Sequence, residues 1–124
     1  MEFIEAPAFA RHLSGYLTEE GYQEPQAGLA ANPEMGDLMP GTGGFRKLRW
    51  ADVRHGKGRR GGLRIVYYHF ALDHQIWLMT LYDKDEAADL TGREKKALKA
   101  AIESELQARA TRRTTRHRKS RRMQ

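Results

Sequence analysis

The sequence predicts an α+β fold: an N-terminal strand and two helices, an antiparallel β-meander, a C-terminal helix and a basic tail. Three observations carry this. Leu63 to Leu72 is rich in Ile, Val, Tyr and Phe, residues that suit a pleated, buried surface. Thr91 and Glu94 form a Thr-x-x-Glu capping box, and Ala97, Leu98, Ala101, Ile102 and Leu106 follow it on one helical face. The chain has 124 residues, enough for one core and too few for two. The expected division is a domain over 1–108 and a disordered basic tail over 109–124.

Taken in order, Glu2 to Glu5 reads as a short edge strand closed by Pro7. Phe9, Leu13, Tyr16 and Leu17 recur at helical spacing and predict a helix from about Ala8 to Leu17. A second, weaker helix runs to Ala31, with Pro25 tolerable only in its first turn, and Asn32-Pro33 ends it. Residues 36–44 (GDLMPGTGG) make a glycine-rich loop into a strand at Phe45 to Trp50. Residues 54–62 (RHGKGRRGG) form a basic loop. Leu63–Leu72 is the central strand, Asp73-His74 a tight turn, and Ile76 to Tyr82 the antiparallel partner. The helix after Thr91 loses its apolar pattern near Arg109. There are no internal repeats.

Charge narrows the function classes. The chain holds 22 Lys and Arg against 16 Asp and Glu. Eight of the bases lie in 109–124, which has no acid; without them 14 bases face 16 acids, a net of −2. Residues 1–37 carry seven acids and one Arg, whereas 45–64 carry eight bases and one acid, Asp52. A basic segment inside the fold and a second basic segment in the tail both favour polyanions. No stretch approaches the ~20 apolar residues of a membrane span, so the expectation is a soluble, cytoplasmic protein. With no cysteine, disulfides and thiolate metal sites are excluded. The five histidines show no metal-ligand spacing, and GTGG at 41–44 lacks the G-K-[ST] of a phosphate-binding P-loop. The expectation is therefore neither metal nor cofactor.

Alternation along Leu63–Leu72 puts Arg64, Val66, Tyr68, Phe70 and Leu72 on one face. Arg64 is a charge in a row that otherwise looks buried. A two-residue turn sets it opposite Asp83, and a turn one residue longer sets it opposite Lys84. Either register brings Arg64 to the strand end with Tyr82, Asp83 and Lys84, where the loop bearing Lys57, Arg59 and Arg60 also arrives. Cations and a phenol gathered this way suit phosphodiester chemistry without metal. The 2′-OH of RNA attacks the adjacent phosphorus, and the protein orients the groups, stabilises the developing charge and assists two proton transfers. The structural alternative is an Arg64–Asp83 ion pair beside a solvated loop. Arg46, Lys47, Arg49, Arg54, His55, Arg59 and Arg60 are candidate phosphate or base contacts. Trp50 and Trp77 read as core.

Residues 36–50 (GDLMPGTGGFRKLRW) are similar to a "GD.IPGTGG.RKLRW" stretch of RelE/HigB-like toxins of bacterial type II toxin–antitoxin systems, in the RelE/ParE superfamily. Residues 58–68 (GRRGGLRIVYY) and 78–86 (LMTLYDKDE) extend the resemblance, which covers roughly 1–106. It implies a RelE-like fold and ribosome-dependent cleavage of mRNA through the RNA's own 2′-OH. It also implies, as partners, the 70S ribosome, mRNA and a HigA-like helix-turn-helix antitoxin whose complex with the toxin binds operator DNA. On the matching positions, Arg64 stands where the family has its catalytic arginine and Lys57 where its active loop has a basic residue. Lys84 and Tyr82 stand on the final strand, where the family has a further cation and sometimes an aromatic residue. His55 stands where some members have another lysine, and the tail has no counterpart. Two other functions are the alternatives: a ParE-like gyrase inhibitor of the same fold, against which Lys57, Arg64 and Lys84 together argue, and a non-enzymatic nucleic-acid-binding protein with the tail as its main contact.

Overall fold

A computed structural model describes residues 1–51 and 62–122, with side chains as far as Arg116. The chain is α+β, in the order β1 (Glu2–Glu5), α1 (Pro7–Leu13), α2 (Glu19–Ala31), β2 (Asp37–Leu38), β3 (Arg46–Trp50), β4 (Leu63–Phe70), β5 (Gln75–Asp83) and α3 (Gly92–Arg122). One mixed sheet runs β1-β5-β4-β3-β2. The β3-β4-β5 meander is antiparallel as expected, and β1 is an edge strand that pairs parallel to β5. The two-residue strand β2, opposite Lys47 and Arg46, was not expected.

The chain divides into two compact units: Met1–Met39 with Gly44–Leu90, and Pro40–Gly43 with Thr91–Gln124. In the first unit, α1, α2 and the turn between them supply Phe9, Leu29 and Leu17 to a core shared with Leu48, Trp50, Leu63, Ile65, Tyr67, Ile76, Leu78 and Leu81 from one sheet face. The opposite face carries an aromatic group at one end of the sheet. Phe45 lies 5.5 Å from Tyr68 and 6.3 Å from Trp77, and Phe70 stacks on Trp77 at 6.0 Å between ring centroids.

Several boundaries differ from expectation. Helix α1 stops at Leu13, with Ser14 as its cap and Gly15 beyond, although Leu17 still reaches the core. In α2, capped by the Thr18 side chain, Pro25 sits in the interior and not the first turn. The carbonyl such a ring would crowd, four residues back, belongs to Gly21. In the second unit, the Thr91–Glu94 box closes reciprocally, at 2.8 Å and 3.1 Å. The tail expected to be disordered continues α3 to Arg122. Arg, Lys, Gln and Ala are good helix formers, and Glu105 sits within 3.8 Å of both Arg109 and Arg112. No helix among the described residues is long and apolar enough to cross a membrane.

Candidate nucleic-acid interface

The register of β4 against β5 decides which groups meet. Its turn is longer than the two residues expected: Ala71–Asp73 form a 3-10 turn and His74 adopts a left-handed conformation with φ 51°. Phe70 then pairs with Gln75 and Tyr67 with Leu78. Past Tyr67 the register shifts, so that Val66 faces Thr80, leaving Met79 as an extra residue. Arg64 consequently faces Tyr82, and not Asp83 or Lys84. Had the bulge been absent, the turn alone would have set Arg64 opposite Leu81.

This register separates Arg64 from Asp83. Asp83 pairs with Leu63, so it belongs to the opposite sheet face. Its Oδ1 accepts from the Asp85 amide at 2.8 Å. The Arg64 guanidinium instead turns toward the start of its own strand, where Nη1 donates to the Gly62 carbonyl at 3.0 Å. The same carbonyl accepts from the Lys84 amide at 3.5 Å. Gly62 therefore ties the Arg64 head to the end of β5, where the exposed Lys84 side chain begins.

On the other side, β3 sets Arg49 directly opposite Arg64. One rung of the sheet thus reads Arg49, Arg64, Tyr82 across three strands, all on the face away from α1 and α2. Directly opposed side chains have their Cβ atoms about 5 Å apart, where like charges destabilise a sheet. Arg64 and Tyr82 are 9% and 8% exposed, whereas Arg49 is open to solvent. A buried guanidinium thus stands beside an exposed one, with a phenol as third neighbour, on positions fixed by the β-ladders. Two rungs along, the next row on the same face reads Lys47, Val66, Thr80, and Lys47 is committed to Asp89 at 3.6 Å.

Arg46 has a different role from its sequence neighbours. It faces the side of α1 and α2, and its Nη1 donates to the carbonyls of Gly36 at 2.8 Å and Glu34 at 3.3 Å. Tyr67, its cross-strand partner, accepts from the Gly36 amide at 2.9 Å and donates to the Pro33 carbonyl at 2.7 Å. Burial pushes the Tyr67 phenol above its ordinary value of 10.0, against the opposing pull of the Gly36 amide and the Arg46 charge. Gly36 has no alternative here: a Cβ would lie 2.8 Å from the Tyr67 ring and 3.1 Å from the Lys47 carbonyl. This clamp anchors the approach to β3.

Of the expected site residues, Arg64, Tyr82 and Lys84 converge, Arg49 joins them, Lys47 lies two rungs away on the same face, and Arg46 is structural. Arg54, His55, Lys57, Arg59 and Arg60 lie outside the described residues; Ala51 and Gly62, which bracket that segment, stand at this end of the sheet. The direct opposition of Arg49 and Arg64 was not foreseen, because a connection as long as residues 51–62 does not set the register of the strands it joins. No family model matches the chain.

Proposed function

We propose that the chain is the toxin of a type II toxin–antitoxin system, a RelE/HigB-like endoribonuclease that cuts mRNA on the ribosome. The observation that carries the reading is the Arg49–Arg64–Tyr82 rung with Lys84 beside it. Two opposed arginines on a rigid sheet are costly unless an anion comes between them. Support also comes from the strand–helix–helix opening, the meander and the closing helix, which fit a RelE-like fold; β2 and the long α3 are departures from the expected outline.

In this mechanism the 2′-oxygen attacks phosphorus and the bond to the 5′-oxygen breaks, giving a 2′,3′-cyclic phosphate and a 5′-hydroxyl. Arg64 holds the non-bridging oxygens as negative charge accumulates, and its burial strengthens that attraction. Arg49 supplies a second fork to the same phosphate. Lys57 assists removal of the 2′ proton, and Tyr82 or Lys84 returns a proton to the leaving oxygen. The ribosome presents the message, and an antitoxin with a helix-turn-helix domain neutralises the toxin.

The test is primer extension on mRNA in a cell-free translation system. Wild-type protein should produce cuts that depend on ribosomes, and Arg64→Ala should abolish them. Full cleavage by Arg64→Ala would sink the assignment. DNA cleavage complexes with gyrase and intact mRNA would move it to the ParE-like alternative.

A further inference from the structure

One face of α3 changes chemistry along its length. Leu98 and Ile102 are buried and Leu106 is 37% exposed. The same side then continues as Arg109, Arg113 and Arg116, with Arg112 beside them, each step being three or four residues. The apolar seam becomes an arginine stripe within one turn. Glu105 sits at the junction, within 3.8 Å of both Arg109 and Arg112. The Thr111 and Thr114 hydroxyls turn inward, donating to the carbonyls of Gln107 and Ala110 at 3.0 Å and 3.1 Å. After Glu105 the sequence has no further acid.

The Arg109 side chain is only 12% exposed and Arg113 is half-buried, whereas Arg112 and Arg116 are open to solvent; like charges at helical neighbour positions weaken a helix, so these open cations invite a polyanionic partner. Its composition narrows the class. A helix lying on a membrane needs an apolar face opposite its charges, and one docking in a protein groove needs apolar anchors at this same spacing. Between Gln107 and Arg122 the apolar residues are Ala108 and Ala110 alone. Guanidinium forks match phosphate geometry, and the stripe of 109–116 spans about 10 Å at 1.5 Å per residue. We propose that residues 109–116 form a second nucleic-acid site, which grips RNA backbone phosphates without reading bases. It adds a binding function to the cleavage proposed above and does not depend on it.

The full chain would be titrated, over a range of salt, into a fluorescent RNA hairpin carrying 2′-O-methyl groups, which block cutting. Replacing Arg112 and Arg116 with Gln keeps helix propensity, and circular dichroism would verify the helix. The slope of log affinity against log salt should fall by about 2 in this double variant, one for each phosphate that is no longer neutralised. The double Lys variant should keep the wild-type slope. An unchanged slope with Gln, or the same loss with Lys, overturns the proposal. So does a poly-glutamate peptide that competes as well as RNA at equal charge, which would assign the stripe to an acidic protein. A protein that binds the hairpin through the stripe but never cuts mRNA would refute the cleavage reading and leave this one standing.

Discussion

Arg64 and Arg116 carry the same guanidinium in opposite circumstances. Arg64 is 9% exposed, sits in the middle strand of a meander and has its head tied to the Gly62 carbonyl. Arg116 is exposed on a helix whose nearby ion pairs come from its own Glu105. A buried, pre-positioned cation can act on charge that develops during a reaction, because nothing must reorganise when it appears. An exposed one is screened by salt and adds to grip in proportion to number. Position in the fold, more than residue type, separates a group suited to chemistry from one suited to holding.

The largest effect expected from this contrast is at Arg64. Arg64→Ala should lower ribosome-dependent cleavage by roughly 100- to 1,000-fold, the usual cost of one pre-organised donor to a developing oxyanion. Arg64→Lys should recover little, because a single ammonium cannot both fork onto phosphate and reach Gly62. Replacing Arg112 and Arg116 together should change single-turnover cleavage at saturation far less. Equal losses at saturation for the two sites would erase the distinction drawn between them.

Next in size is the clamp that holds the sheet end of β3. Tyr67→Phe removes an acceptor from the Gly36 amide and a donor from the Pro33 carbonyl, at about 1–3 kcal/mol for buried groups left without partners. Thermal melts should show the loss, and the helicity of α3 gives an internal control. Tyr67 also has a pH signature. Burial favours its protonated form in the folded chain, so the native state binds more protons than the unfolded state above the ordinary value of 10.0. Stability from this group is fully present below pH 10 and declines as pH rises above it. Tyr22, raised by burial and by its bond to Glu5, adds in the same direction. In Tyr67→Phe the alkaline decline should be shallower than in wild type; an identical slope would mean that Tyr67 does not titrate with folding.

A good part of this arrangement is legible in the sequence. The meander follows from Leu63–Leu72 and its flanking turns, the opening of α3 from Thr91 and Glu94, and the convergence of Arg64 with Tyr82 and Lys84 from strand alternation. The partner directly across from Arg64 is not legible. It depends on a four-residue turn from Ala71 to His74 and on a bulge at Met79, where no Gly or Pro marks the site. Arg46, Lys47 and Arg49 look equivalent in sequence, yet alternation and neighbours give them three roles: clamp, ion pair and open cation. The end of α3 runs past the expected boundary because loss of apolar periodicity is not loss of helix. Periodicity reports which face is buried, and a solvated helix of good formers needs none.

Arg49 offers a smaller effect with an unusual sign. Opposite Arg64 it is a like-charge cross-strand pair, unfavourable by about 0.2–1 kcal/mol. Arg49→Gln should therefore stabilise the fold slightly while lowering cleavage. Improved stability with reduced activity is the mark of a residue kept for an anion. A drop in both would make Arg49 an ordinary packing residue, and the rung would lose its claim as a site.

The smallest effect tests the junction of α3. Glu105 faces Arg109 and Arg112 at 3.8 Å each, and exposed helical pairs of this kind contribute about 0.3–0.5 kcal/mol. Glu105→Gln should cost the helix only a few per cent of its circular dichroism signal at low salt, and less at high salt as screening removes the pairs it lacks. It also removes the one acid beside the stripe, so RNA hairpin binding should tighten while cleavage by a chain already bound to the ribosome stays unchanged. The two readouts should part if the stripe holds by net charge and the sheet site acts by placement, as proposed. If Glu105→Gln weakened binding instead, the carboxylate would be fixing the arginines in a required geometry, and α3 would then resemble the sheet more than it differs from it.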